Sequence, residues 1–186
     1  MHQTLQWLCV ALCPKNLYRL IMKNKITFLF LFVAFQNYDA QIAIGKAPNN
    51  SSAILDFATG TTSGIILSAV MNLPSNVANG TLLVDRSDLK VKMRQNNIWV
   101  DMSSPGDLSK ISPNNSSEVG NGVIIGSNTS SANGVLVLEA TDKALVLPKI
   151  ASPQTNVRSP YPGMICYDTA SKSVAVFDGK VWNFWR

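Results

Sequence analysis

The sequence predicts an all-β protein: two tandem small antiparallel β modules behind a cleaved signal peptide. Three observations carry this. From residue 41 onward, strand-sized apolar runs such as "GIILSAV", "TLLVD" and "IWVDM" alternate with clusters of Asn, Ser, Gly and Pro, the rhythm of short strands and turns. Much of that stretch is written twice. Ahead of it lies a segment with the anatomy of an export signal.

The first element is residues 1–21, expected to be an extension ahead of a true start at Met22. Residues 22–40, "MKNKITFLFLFVAFQNYDA", hold Lys23 and Lys25, then an apolar stretch over 26–35, then polar residues and Ala40 before Gln41. A positive n-region, a short apolar core and a small residue at the cleavage point define a secretory signal peptide. Tyr38 departs from the small residue preferred there. The stretch is too short to span a bilayer, which takes about 20 residues, so no membrane-spanning segment is expected in the mature chain. The other reading is a buried N-terminal helix. The protein is expected at the outer membrane, on the cell surface or outside the cell, with the periplasm as a further location.

The second element, residues 41–102, is module one. The third, residues 103–122 ("SSPGDLSKISPNNSSEVGNG"), reads as a linker, with almost nothing to bury. The fourth, residues 123–186, is module two. "AIGKAPNNSSAILDF" (43–57) resembles "IIGSNTSSANGVLVL" (124–138) at an offset of 81, and "GIILSAV" (64–70) resembles "ALVLPKI" (144–150) at 80. "NGTLLVD" (79–85) resembles "PGMICYD" (162–168), and "VKMRQNNIWVDM" (91–102) resembles "VAVFDGKVWNFW" (174–185), both at 83. Offsets drift only in the loops, where insertions are tolerated.

Each module is expected to end in a three-strand meander. Asp178-Gly179 predicts a two-residue hairpin in module two, and Gln95-Asn96 the corresponding turn in module one. That register sets Val176 opposite Val181, Val174 opposite Asn183, Ala175 opposite Trp182 and Phe177 opposite Lys180. In module one, Val91, Met93, Ile98 and Val100 share an inner face. Lys92, Arg94, Trp99 and Asp101 form a polar outer one, the alternation of a half-buried sheet. Module two keeps Val174, Val176 and Val181 inside, but its other face carries Ala175, Phe177, Trp182 and Phe184, with Trp185 ending the strand. Either module one and the loops of module two cover that face, or it is an intermolecular interface formed by Phe177, Trp182, Phe184 and Trp185. Modules of this size are marginal alone, and oligomerisation is one remedy.

Composition excludes several activities. Of the +5 net charge, +3 lies in the first forty residues (Lys15, Arg19, Lys23 and Lys25 against Asp39), so no basic stripe marks the folded part for nucleic acid. The one histidine, His2, precedes the signal, which removes His-based catalysis and imidazole metal sites from the mature chain. Cys9 and Cys13 also lie upstream, leaving Cys166 as a lone, buried, inert thiol. Asp85 and Asp168 end equivalent strands and read as turn caps; Asp85 with Asp88 lacks the dense oxygen loop of a calcium site. The expectation is no enzyme, no cofactor and no metal. Trp99 and Trp182 recur at one place in both copies. They read as cross-strand covers of each hairpin or, alternatively, as sugar-stacking rings of a glycan-binding, lectin-like module.

The residues Leu147-Pro148-Lys149, Gly163, Tyr167-Asp168-Thr169, Phe177-Asp178-Gly179 and Trp182 resemble a module common in secreted surface proteins of flavobacteria and relatives. It is similar in kind to phage tail-fibre and adhesin-head repeats. Copy one departs from it, with Ser68-Ala69 in place of Pro-Lys and Val84-Asp85-Arg86 in place of Tyr-Asp-Thr. The resemblance implies a secreted, non-enzymatic structural or adhesive part, often trimeric: a fibre-like protein or an accessory subunit of an envelope assembly. Its partners would be copies of itself, as a homotrimer, or other envelope and surface proteins.

Overall fold

The β-branched runs become strands wherever turn formers bound them. The structure is a computed structural model that describes residues 41–47, 52–112 and 122–186; the expected extension (1–21) and signal peptide (22–40) lie outside the described residues. Copy one supplies β1 (Ile42–Ile44), β2 (Ala53–Phe57), β3 (Ile65–Ile66), β4 (Ala69–Val70), β5 (Leu82–Asp85), β6 (Lys90–Gln95) and β7 (Ile98–Asp101). Copy two supplies β8 (Val123–Ile125), β9 (Leu136–Leu138), β10 (Ala144–Leu145), β11 (Lys149–Ile150), β12 (Met164–Asp168), β13 (Ser173–Phe177) and β14 (Trp182–Trp185). The single helix among the described residues is one turn, α1 (Pro153–Asn156). The fold is all-β.

The two stretches show matching strand pairings. β1 runs parallel to β2 with Ile42 opposite Leu55, and β8 runs parallel to β9 with Val123 opposite Leu136. β4 runs parallel to β5 with Val70 opposite Asp85, and β11 to β12 with Ile150 opposite Asp168. Even the flanking hydrogen bonds correspond: Arg86 N–H donates to Val70 O and Thr169 N–H to Ile150 O. Each copy then closes with its expected antiparallel meander, β5-β6-β7 and β12-β13-β14. The expectation of antiparallel modules therefore holds for the meanders alone. The first half of each copy is instead parallel, in the pairs β1-β2 and β4-β5 of copy one and β8-β9 and β11-β12 of copy two.

The copies are not separate bodies. β10 of copy two lies parallel on β2 of copy one, and β3 of copy one lies antiparallel on β12 of copy two. Two sheets thus draw strands from both sides of the expected boundary at residues 103–122. Residues 103–112 are not a free linker either. Leu108 is buried and Ile111 packs beside it. Gly106 N–H donates to Leu89 O (2.8 Å), and Asp107 N–H to Asp178 O (3.0 Å). A segment with few apolar residues still packs when those few face a core. Residues 113–121 lie outside the described residues.

The main core joins the inner faces of the two meanders: Val84, Val91 and Met102 from copy one, Ile165 and Val176 from copy two, with Leu108 of the connecting segment between them. Full burial of one such side chain contributes about 1.5–3 kcal/mol, and this cluster has the most buried members of the three. Ile54, Leu55 and Ile125 form a second cluster with Phe57 and Leu138. Ile150, Cys166 and Ala175 form a third with Val157 and Trp182.

Candidate interaction surface

The aromatic strand β14 is positioned by the loop before it. Asp178 does not begin a two-residue turn. Its carboxylate accepts the N–H groups of Lys180 and Val181 and the side-chain amide of Asn183, all at 2.8 Å. This Asp-capped loop spans residues 178–181 and closes with Asp178 N–H donating to Val181 O (3.2 Å). Gly179 has φ +99°, and a Cβ there would stand 1.7 Å from Asp107 O. The register consequently moves by two from the expected one: Phe177 opposes Trp182, Val176 opposes Asn183, Ala175 opposes Phe184 and Val174 opposes Trp185. A shift of two leaves every side chain on its expected face, since sheet faces alternate with period two. Val181 alone changes role, leaving the inner face for the loop, where it is 57 % exposed.

The four aromatics expected to share one contact surface are divided. Trp185 stands on the inner face with Val174, packs against the main core, and donates its indole N–H to Met102 O at 2.7 Å. Phe177 is only 7 % exposed, its ring centroid 5.3 Å from that of Trp182 in a tilted pair. Trp182 is half-buried against the cluster of Ile150, Cys166 and Ala175, beside Val157. Phe184 remains 42 % exposed. The chain's own loop covers most of this face. Ser152 N–H donates to the Asp168 carboxylate (2.8 Å), which fixes the entry to α1 and seats the buried Pro153. So Phe177 is buried, Trp182 and Trp185 are half-buried against the chain's own clusters, and Phe184 is the most exposed member of the set.

Trp99 sits in the corresponding hairpin of copy one. The turn there is Asn96-Asn97, at φ 50° and 61°, one residue later than expected; two left-handed residues make the turn that matches strand twist, and Asn tolerates that conformation. Arg94 opposes Trp99 across the ladder and lies over its ring, 5.5 Å from the centroid. The tryptophans thus have internal partners, Arg94 for Trp99 and Phe177 for Trp182. Ile98, expected on the inner face, opposes Gln95 beyond the end of the core and is exposed.

The polar face of copy one is more buried than alternation predicts. The Lys92 ammonium is ringed by Asp88 (2.5 Å), Asp101 (2.7 Å) and Asp85 (3.8 Å). Burial lowers its pKa, but hydrogen bonds to Asp101 and Asp88 outweigh that and hold it above the ordinary lysine value. Asp85 caps its turn by accepting Ser87 N–H (2.9 Å) and Oγ–H (2.6 Å). Asp168 is similarly used, by Ser152, Ala170 and Ser171. Burial, then the neighbouring Asp168 charge, pushes the Cys166 thiol up to about 12. No group of His, Cys, Asp and Glu among the described residues is arranged to hold a metal ion. No helix among them is long and apolar enough to cross a membrane.

Large apolar side chains other than Phe184 are also exposed, among them Ile98 and Val181 beside the two hairpins and Met71 and Ile44 elsewhere. They also include Val135 just before β9, Val123 on β8, Leu136 on β9 and Ile66 on β3. Reading each copy by itself misses them. The available signal was the alignment of the copies, which sets Val135 against Ile54 and Leu136 against Leu55.

In comparison with known proteins, residues 124–185 match the family described as the phage tail like trimerisation region. The match runs from β8 to β14 and supports a tail-fibre-like β module in copy two. Neither the curated proteins nor the solved structures yield a match.

Proposed function

We propose that this chain is a non-enzymatic structural protein that self-associates as a trimer through its tail-fibre-like β modules. The observation that carries the reading is the match of residues 124–185 to a trimerisation region. The same stretch holds Val135, Leu136 and Phe184, apolar side chains left open to solvent and available for association. The short strands, buried turn-capping aspartates and occupied tryptophans fit a building part better than a catalyst. We further propose export through the signal at residues 22–40, with the trimer serving at the outer membrane, on the cell surface or outside the cell, as a fibre-like part or as an accessory subunit beside other envelope proteins.

Sedimentation equilibrium on the purified protein tests the first reading. Three copies of the full 20.2 kDa chain give a particle of about 60 kDa, and a processed chain gives three times its own smaller mass; a monomer across the micromolar range overturns the reading. Cell fractionation tests the second. Retention of the unprocessed chain in the cytoplasm overturns export and leaves the trimer reading intact.

A further inference from the structure

Each copy lends the other one strand. β10 lies on β2 with Leu145 opposite Leu55, Val146 N–H donating to Leu55 O at 3.0 Å. β3 lies on β12 with Ile65 opposite Ile165, Leu67 N–H donating to Gly163 O at 3.0 Å. The duplication implies two equivalent pairings that the chain leaves unformed. β9 is the counterpart of β2, yet among the described residues it pairs with β8 alone. β5 is the counterpart of β12, yet no described strand lies beside Leu82 where β3 lies beside Ile165.

Exposure marks the first gap. Ile54 and Leu55 are 2 % and 4 % exposed, whereas their counterparts Val135 and Leu136 are 63 % and 46 % exposed. The strands that would fill both gaps are themselves edges. β3 and β10 are each paired on one side only. Backbone groups alternate between the two edges of a strand, and an unpaired row is a template for another chain. Leu67 N–H faces β12, so Ile66 N–H faces outward; Val146 N–H faces β2, so Leu145 and Leu147 N–H face outward. Ile66 and Leu145 are both exposed.

We infer that β9 of one molecule receives β3 of a second copy of this chain, while β10 of the first lies on β5 of the second. The occupant is a second copy because β3 is the repeat counterpart of β10, the strand that already fills this edge on β2. In that contact the neighbour's Ile65 stands opposite Leu136, as Leu145 stands opposite Leu55, and the neighbour's Ile66 N–H donates to Leu136 O. Leu145 stands opposite the neighbour's Leu82, as Ile65 stands opposite Ile165. The two surfaces differ, so the contact is head-to-tail and closes into a ring or extends into a fibre. The inference rests on the self-association proposed above and makes the trimer a ring of three such contacts.

Leu136→Pro tests it. In the same parallel register Leu136 N–H donates to the neighbour's Gly64 O; the substitution removes that N–H and spares the β8 ladder, in which Val123 N–H donates to Val135 O and Glu139 N–H to Ile125 O. The expected result is unchanged circular dichroism and a dissociation constant raised about tenfold or more. A second measurement covers a variant that misfolds. In chains carrying Cys9→Ser and Cys13→Ser, Ile65→Cys is placed on one and Leu136→Cys on another, and the two are co-expressed and oxidised. A disulfide joining the two chains at these positions, identified by mass spectrometry, supports the pairing. An intact oligomer with no such cross-link, or unweakened by Leu136→Pro, overturns the pairing and leaves self-association standing. A native chain that is monomeric throughout overturns both.

Discussion

Replacing Trp185 by Phe separates an internal role from an interfacial one. The indole N–H donates to Met102 O at 2.7 Å across 83 positions of sequence, and Met102 is itself buried in the main core. Phe keeps most of the ring contact but leaves that carbonyl without its donor. An unsatisfied buried acceptor costs about 1–3 kcal/mol. In a domain of this size each kcal/mol lowers the melting temperature by roughly 2–4 °C, so Trp185→Phe is expected to melt about 2–12 °C below the native chain. Trp185→Ala loses the packing as well. Because the side chain is only half-buried, the total stays below the range of ~3–5 kcal/mol for a fully buried aromatic. The assay is thermal unfolding by far-ultraviolet circular dichroism at one fixed protein concentration, since assembly makes stability concentration-dependent. A Trp185→Phe protein that melts with the native chain, or that changes assembly mass at constant stability, would refute the internal role.

Three further predictions follow from packing and titration. Ala at Gly106 or Gly179 would place a Cβ 1.8 Å from Asp178 O or 1.7 Å from Asp107 O; each should cost more than ~2 kcal/mol. Gly60→Ala, at φ +75° with nothing within 4 Å, should cost only the ~1 kcal/mol of a left-handed residue, and equal melting of all three would show that residues 103–112 do not press on the 178–181 loop. Burial raises the Asp168 pKa, but the Ser171 hydroxyl and the N–H groups of Ala170, Ser152 and Ser171 outweigh it and hold the carboxyl below its ordinary value. That contribution is present above the unfolded pKa of about 4 and is lost as pH falls through the folded value. Urea midpoints measured from pH 6 downward should therefore fall in acid, and less steeply for Asp168→Asn; parallel curves would contradict this. Cys166, buried and pushed up to about 12, should resist iodoacetamide at pH 8 in the native state and react once unfolded, as followed by peptide mass spectrometry. Fast native labelling would show that the third cluster opens.

Much of the architecture was legible because strand patterns are local. The two meanders follow from β-branched runs separated by turn formers, and their faces from period-two alternation, which survives the two-residue register error at Asp178-Gly179 and the one-residue turn error at Gln95-Asn96. The register itself was not legible. It depends on how many N–H groups the Asp178 carboxylate gathers, and on Asp107 pressing against Gly179. The connecting segment was misread because two apolar residues, Leu108 and Ile111, look negligible by composition and become decisive only where both meanders meet.

The candidate surface shows the same division. The sequence by itself determined that the second copy bears apolar residues on both faces of its hairpin, and that the chain contains one strand plan twice. Which of those residues meet solvent was decided only by the tertiary structure. The segment at residues 152–157, seated by Asp168, brings Val157 to the cluster against which Trp182 packs, and a carbonyl 83 positions away claims Trp185. Ile54 and Leu55 are covered by Ile125, Phe57 and Leu138, whereas their counterparts Val135 and Leu136 stay open. Alternation along a strand depends on neighbouring residues alone, whereas exposure depends on which distant strands and side chains pack against it, which no local pattern encodes.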